Sequence, residues 1–157
     1  MNRTIIKLFF YLCILTALPS YAQNAVHYYF KTMDIRNGLS QNTVYQILQD
    51  RKGFMWFGTK DGLNRYDGLS YRVYKKENSG LGKNFITALY EDHEGNIWIG
   101  TDGGVFIYNP VLDSFTAFNQ TSDKGTVIKD FVTMIGSDEY DNIWISVENQ
   151  GLFCYNH

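Results

Sequence analysis

Residues Asp92–Thr101 read DHEGNIWIGT, and the chain contains two further versions of this stretch. Asp50–Thr59 reads DRKGFMWFGT and Asp138–Val147 reads DEYDNIWISV, which places the three tryptophans 42 and 46 residues apart. The third version differs at three positions, where Asp, Ser and Val replace Gly, Gly and Thr. Upstream of the first two versions, Gly38–Asn42 (GLSQN) matches Gly80–Asn84 (GLGKN) at the same offset of 42 residues. So many matches in phase indicate a tandem repeat.

The length and content of each repeat are typical of a β-propeller blade, a sheet of four short strands in about 40 to 45 residues. Alternation of apolar and polar residues, interrupted by Asp-Gly turns, predicts the strands. They cover residues 43–49, 54–59, 63–66 and 71–75 in the first copy, 85–91, 96–101, 105–108 and 115–118 in the second, and 131–136, 143–147 and 152–155 in the third. The blade copies span approximately residues 39–75, 81–118 and 127–155. We therefore predict two complete four-stranded antiparallel blades and a third that lacks its outer strand.

Residues 27–32 precede the first complete copy, at the spacing that separates the outer strand of one copy from the first strand of the next. Phe30 lies 14 residues before Val44, as Phe118 lies 14 residues before Val132. This spacing predicts an N-terminal orphan outer strand, which in a closed propeller would complete the last blade. The expected fold is therefore an all-β, incomplete β-propeller. Because propellers close with about four to eight blades, we interpret the chain as the leading fragment of a longer protein.

The first 22 residues have the pattern of a secretory signal peptide. Basic residues Arg3 and Lys7 accompany an apolar run, Ile5–Leu18, which ends at a proline. The following Ser20–Ala22 segment provides small residues two positions apart for cleavage. The apolar run is shorter than the about 20 residues that span a membrane. We predict a signal peptide over residues 1–22 and a partial propeller over residues 23–157; an uncleaved signal anchor remains the alternative.

The composition excludes several classes of protein. Among the 157 residues, 14 are Lys or Arg and 16 are Asp or Glu, so the net charge of -2 gives no electrostatic footprint for nucleic acid. A hydrophobic share of 45% excludes a disordered chain, and the aromatic share of 17% suits strands. After cleavage Cys154 is the single cysteine, so we expect no disulfide framework. We also expect Cys154 to be a buried strand residue rather than a nucleophile.

Trp56, Trp98 and Trp144 occupy one equivalent strand position in each copy. One tryptophan per repeat is typical of packing within and between blades, which is the role we predict, although these indoles could instead stack on sugar rings. Loops of unequal length between blades are where ligand contacts would lie. We interpret Lys75–Asn78 and Gln120–Gly125 as solvated loops and assign no ligand contact to either.

Asp50, Asp92 and Asp138 begin the equivalent turns of the three copies, where an aspartate can accept a hydrogen bond from the backbone two residues on. We predict turn caps in preference to catalytic acids or metal ligands. Asp92 is followed by His93 and Glu94, but adjacent residues on a short turn do not easily converge on one ion, and the other copies lack the histidine. The sequence thus predicts no catalytic residue, no metal site and no cofactor, and it leaves the ligand-binding residues unidentified.

The pattern Asp-x-x-Gly-x-x-Trp-x-Gly-Thr, followed by Gly-Leu and Tyr, resembles the two-component regulator propeller repeat. Asp34–Asn42, which reads DIRNGLSQN, carries the same resemblance at the front of the first copy. The resemblance extends from about Tyr28 to Tyr155. It implies the periplasmic sensor region of a hybrid two-component histidine kinase, whose usual signal is an oligosaccharide released from a polysaccharide.

Under this resemblance the chain is expected to be a non-catalytic part of a ligand sensor, with a parent protein anchored in the inner membrane. Its partners would be an oligosaccharide, the remaining propeller blades and a membrane-spanning kinase module. The three histidines, His27, His93 and His157, do not form a kinase motif. Two alternatives stay open. The first alternative is a propeller-type glycosidase or lyase, because the repeat is also similar to the Asp-box of sialidase-like propellers, with a spacing that differs by one residue. The second alternative is a non-catalytic protein-binding scaffold, since a fold does not determine a function.

Overall fold

The structure of the chain is a computed structural model that describes Arg3 and residues 28–120, 125 and 127–156. The chain divides into two compact units, residues 1–31 and residues 32–157. Apart from Arg3, the predicted signal peptide lies outside the described residues. None of the helical structure in the described residues is long and apolar enough to cross a membrane.

The second unit contains three antiparallel sheets whose strands pair in chain order. The first sheet is formed by β1 (Val44–Gln49), β2 (Met55–Thr59), β3 (Gly62–Tyr66) and β4 (Tyr71–Tyr74). The second is formed by β5 (Ile86–Glu91), β6 (Ile97–Thr101), β7 (Gly104–Asn109) and β8 (Ser114–Ala117), and the third by β9 (Val132–Ser137), β10 (Ile143–Val147) and β11 (Gly151–Tyr155). Every strand begins and ends within one residue of its predicted bounds, which confirms two four-stranded blades and one three-stranded blade.

The predicted orphan outer strand is wrong for the residues that the structure describes. Residues 28–32 are not in a strand, and the side chains of Tyr28, Tyr29 and Phe30 are exposed. An isolated strand has no stability of its own, because its backbone groups need a neighbouring strand. The first regular element is instead the short 3₁₀ turn Ile35–Asn37.

Within the second unit the three sheets pack face to face in chain order, with β1, β5 and β9 as neighbouring inner strands. One apolar core lies between the first and second sheets and another between the second and third. The glycine of each Trp-x-Gly motif permits this approach. A Cβ on Gly58 would lie 2.7 Å from Ile86 Cγ2, and a Cβ on Gly100 would lie 2.7 Å from Val132 Cγ1. The glycine is therefore required wherever the inner strand of a following sheet packs on the tryptophan strand.

The tryptophans confirm their predicted packing role in the first two sheets. The rings of Trp56 and Tyr108 of the second sheet are 4.9 Å apart, and those of Trp98 and Tyr155 of the third sheet are 5.9 Å apart. Both indoles are 1% exposed. Trp144 is 39% exposed, since no further sheet among the described residues covers it.

The trailing face of the third sheet is the face that carries Trp144. Its neighbours there are Leu152, which is exposed, and Cys154, which lies directly opposite Trp144 in the β10–β11 register. The expectation that Cys154 is buried is therefore wrong: its thiol is free and exposed. The cause is the position of the residue on the uncovered face of the sheet.

Candidate functional site

Asp92 is the centre of a buried hydrogen-bond network at the turn between β5 and β6. One carboxylate oxygen accepts hydrogen bonds from the backbone N–H groups of Glu94 (3.0 Å) and Asn96 (2.8 Å). The other oxygen accepts the indole N–H of Trp98 (2.8 Å) and the side-chain amide of Asn96 (2.9 Å). Burial opposes ionisation of this carboxyl, but the hydrogen bonds from Trp98 and Asn96 outweigh it and lower the pKa of Asp92.

The hydrogen bond from the indole to the aspartate recurs in the other two sheets. Asp50 accepts the indole N–H of Trp56 at 2.8 Å, and Asp138 accepts that of Trp144 at 2.9 Å. The Trp144 hydrogen bond is the largest cause that lowers the pKa of Asp138 to about 2. The predicted role as turn caps is confirmed. Sequence reasoning missed the bond to the indole, although the constant spacing of six residues between aspartate and tryptophan was a signal for it.

The side chains of Asp92, His93 and Glu94 serve different neighbours. Asp92 is occupied as described above, Glu94 accepts the side-chain amide of Asn96 at 3.2 Å, and the imidazole of His93 lies 3.6 Å from the carboxylate of Asp141 in the third sheet. Among the residues that the structure describes, no group of three His, Cys, Asp or Glu side chains is placed to hold a metal ion.

Arg51 bridges the first two sheets at the end that carries the β1–β2 and β5–β6 turns. Its guanidinium donates to the backbone carbonyls of His93 (2.8 Å) and Asp92 (2.5 Å) and pairs with Glu91 at 2.9 Å. A cleft of about 250 Å³ opens beside it. Because the guanidinium of Arg51 is already bound to protein groups, it serves the packing of the sheets.

A second polar cluster joins the outer strands of the same two sheets. The hydroxyls of Tyr74 and Tyr108 donate to one oxygen of Asp113 at 2.7 and 2.8 Å. Arg65 donates to the Tyr108 hydroxyl at 2.7 Å, and Arg72 pairs with the other oxygen of Asp113. Burial, followed by the hydrogen bond to Asp113, raises the pKa of both tyrosines. This cluster fixes the two sheets to each other and was not predicted from the sequence.

The opposite end of the sheets carries the β2–β3 and β6–β7 turns and the connections between sheets. We call this end the loop face. The backbone N–H groups of Lys60 and Asp102 donate to the carbonyls of Thr43 and Phe85, both at 3.3 Å. Across the boundary between the first two sheets, the Gly62 N–H donates to the Asn84 carbonyl at 2.7 Å. The first two bonds hold a turn against the segment that enters its own sheet, and the third holds a turn of the first sheet against the connection to the second.

A cleft of about 460 Å³ lies in the loop face between the first two sheets, and we call it the lysine cleft. The residues that line it come from two β-turns and one connection, and they are Lys60, Lys76, Gly82, Lys83, Asn84, Phe85 and Asp102. The Lys83 side chain lies over Gly103, where a Cβ would collide with it. The cleft therefore combines three ammonium groups, an amide, a carboxylate and one aromatic ring.

Aromatic rings form a row beside the lysine cleft, at the start of the inner strands. The ring centroids of Tyr45 and Phe85 are 4.8 Å apart, and those of Phe85 and Phe131 are 5.5 Å apart. Tyr45 is exposed, whereas the two phenylalanines are half-buried. Phe85 belongs to both the row and the cleft, so an apolar surface adjoins the polar groups.

The two loops that the sequence analysis interprets as solvated lie in different surroundings. In Lys75–Asn78, the ammonium of Lys75 pairs with Asp61 at 2.6 Å, while Lys76 lines the lysine cleft. In Gln120–Gly125, residues 121–124 lie outside the described residues. The interpretation of the second loop as solvated stays a prediction.

This architecture is that of a β-propeller segment, built from successive sheets that pack around neighbouring inner strands. Residues 38–61 and 80–103 match the two component regulator propeller family, which confirms the resemblance read from the sequence for the first two copies. Both matched segments begin at the Gly-Leu pair and end in the turn after the Trp-x-Gly-Thr strand.

Three proteins illustrate the similarity. The chain is 42% identical over 59 residues to histidine kinase P4 of Formosa agariphila, a match that covers 38% of this chain and 4% of that protein. The extracellular domain of BT3049 from B. thetaiotaomicron, described as a hybrid two component system, has a TM-score of 0.68 and 31% identity over 78% of this chain and 18% of that chain. The extracellular domain of BT4673 from B. thetaiotaomicron, described as a one component system, has a TM-score of 0.70 and 28% identity over 82% of this chain and 19% of that chain. The chain thus spans less than a fifth of each of these relatives.

Proposed function

We propose that this chain is the N-terminal part of the periplasmic ligand-sensing propeller of a hybrid two-component sensor histidine kinase. It contributes to the detection of glycan-derived oligosaccharides and is itself non-catalytic. The repeat family and the extracellular relatives support this proposal. The predicted signal peptide over residues 1–22 agrees with an export route to the periplasm.

The observation that carries the proposal is the aromatic row on the loop face. Binding sites for small molecules combine apolar or aromatic walls with a few polar groups that fix orientation. Phe85 brings these together, because its ring contacts Tyr45 and Phe131 and also lines the lysine cleft. A sugar ring has an apolar face and a rim of hydroxyls, so it fits an aromatic surface with the polar side chains of the lysine cleft beside it.

A non-catalytic role is supported by the use that the fold makes of its repeated carboxylates. A glycosidase usually needs two carboxyl groups that flank the scissile bond. Asp50, Asp92 and Asp138 each bind an indole and the backbone of their own turn. Their geometry serves folding, which speaks against the glycosidase alternative.

The partners in the parent protein would be further propeller blades and a membrane-spanning kinase module. The trailing face of the third sheet supports contact with another blade. Trp144 and Leu152 are exposed there, whereas their equivalents Trp98 and Val105 in the second sheet are covered by the third. The anchoring of the parent in the inner membrane belongs to the same proposal.

Calorimetric titration of the full chain with a panel of neutral and acidic oligosaccharides tests the proposal. We expect at least one to bind, and we expect Phe85→Leu, which keeps an apolar side chain but removes the ring, to lose most of the affinity. Tyr140→Ala is the matched control, because Tyr140 is an exposed aromatic residue on the β9–β10 turn at the other end of the sheets. Cleavage of an oligosaccharide by the purified chain would favour the enzyme alternative, and no binding by any member of the panel would contradict the proposal.

A further inference from the structure

Lys60 and Lys83 line the same cleft, which also contains Asp102. Both side chains are exposed, and among the described residues no carboxylate lies within 4.0 Å of either ammonium group. Nearby lysines behave differently: Lys75 pairs with Asp61, and Lys76 lies 3.8 Å from Glu77. Among the lysines that line the cleft, Lys76 therefore has a carboxylate nearby, whereas Lys60 and Lys83 are available to bind an external anion.

The backbone that presents these two lysines is well fixed. The Lys60 N–H is bonded to Thr43, and the connection before β5 is held at its end by the bond from Asp102 to Phe85. Gly103 leaves the space that the Lys83 side chain occupies above the β6–β7 turn. Because the frame is formed by hydrogen bonds within the protein, an anion in the cleft would have to order only the two side chains.

We propose that the lysine cleft binds an acidic oligosaccharide, with Lys60 and Lys83 contacting a carboxylate or sulfate group while a sugar ring packs on Phe85. This inference rests on the proposed function and specifies the chemical class of the ligand. Two cations that line one cleft raise the local concentration of anions and form short charge-assisted hydrogen bonds with them. Asp102, which also lines the cleft, provides an acceptor for a sugar hydroxyl.

Two matched pairs of probes test the inference by calorimetry on the full chain at low and high salt. One pair is tetragalacturonate and its methyl ester, and the other is sulfated maltotetraose and maltotetraose. We expect an acidic member to bind about tenfold or more tightly than its neutral partner, as expected when a charge-assisted contact is gained. The preference should diminish at high salt, because salt screens exposed charges. The two pairs distinguish a carboxylate from a sulfate as the recognised group.

Variants assign the effect to the cleft. Lys60→Ala and Lys83→Ala should each remove most of the acidic preference, and Gly103→Ala should weaken it by displacing Lys83. Lys52→Ala is the control, because Lys52 is an exposed lysine at the opposite end of the first sheet. Circular dichroism verifies that each variant is folded.

The possible outcomes separate the two proposals. Equal binding of the acidic and neutral members overturns the inference and leaves the proposed function intact. An acidic preference that survives in both Lys60→Ala and Lys83→Ala, or that Lys52→Ala removes equally, also overturns it. Failure of all four probes and of the wider panel counts against the proposed function itself.

Discussion

Replacing Asp92 by Asn should destabilise the protein more than its small change in size suggests. The carboxylate is 1% exposed and accepts four hydrogen bonds, two on each oxygen. An asparagine keeps one oxygen, so its amide nitrogen must face two donors in either orientation. In one orientation these donors are the indole N–H of Trp98 and the side-chain amide of Asn96. In the other orientation they are the backbone N–H groups of Glu94 and Asn96. Since a buried donor without a partner costs about 1–3 kcal/mol, we expect Asp92→Asn to lower the free energy of unfolding by about 2–4 kcal/mol.

The assay is urea unfolding at neutral pH followed by far-ultraviolet circular dichroism, with Asp138→Asn as the matched control. Asp138 makes the same bonds in the third sheet, but it sits on a turn where water reaches Trp144 and can satisfy the orphaned donors. We therefore expect a clearly smaller loss in the control. A loss below about 0.5 kcal/mol for Asp92→Asn, the range of a neutral surface change, would refute this reasoning. Equal losses in the two variants would refute it as well.

Three further predictions concern packing and pH. Gly100→Ala should cost about 1–3 kcal/mol, because the added methyl group would overlap the inner strand β9, whereas Gly136→Ala, with open space around it, should not; urea midpoints compare them. Trp98→Ala should cost about 3–5 kcal/mol as a buried aromatic truncation, and Trp144→Ala clearly less, by the same assay; equal costs would contradict the packing order. The folded-state pKa of Asp92 lies below its ordinary 3.8, so the stability that it contributes is present above that value and lost as pH falls through the folded pKa. Acid unfolding should accordingly be less steep in Asp92→Asn, and unchanged steepness would argue against a lowered pKa.

The strands and the repeat could be predicted closely because their signals are local and occur in phase. The Asp-Gly turns and the alternation of apolar residues lie within single sheets, and the tryptophan recurs once in each sheet. The roles of Asp50 and Trp56 as cap and packing residue followed from the same phase. A strand at residues 27–32 was predicted from phase alone, and it failed because phase does not supply a neighbouring strand.

The polar contacts between sheets could not be predicted, since the residues that make them change from one repeat to the next. Arg51, which binds Glu91, is equivalent to His93 in the second copy, so the bridge leaves no repeated signal. The lysine cleft is similar: Lys60 and Lys83 are 23 residues apart and meet only because a turn packs against a connection. The sequence also does not show which face of a sheet is covered by a neighbouring sheet. The exposure of Cys154 depends on this, because Cys154 lies on the uncovered face of the third sheet.

The central claim is that the three tryptophan segments are successive sheets, each covered by the next. Fluorine NMR of the chain labelled with 5-fluorotryptophan tests it directly, with signals assigned by single Trp→Phe variants and a soluble gadolinium chelate as the probe of exposure. The account predicts that the signals of Trp56 and Trp98 stay sharp and that the signal of Trp144 broadens. Equal broadening of all three signals, or protection of Trp144 together with broadening of Trp98, would contradict it.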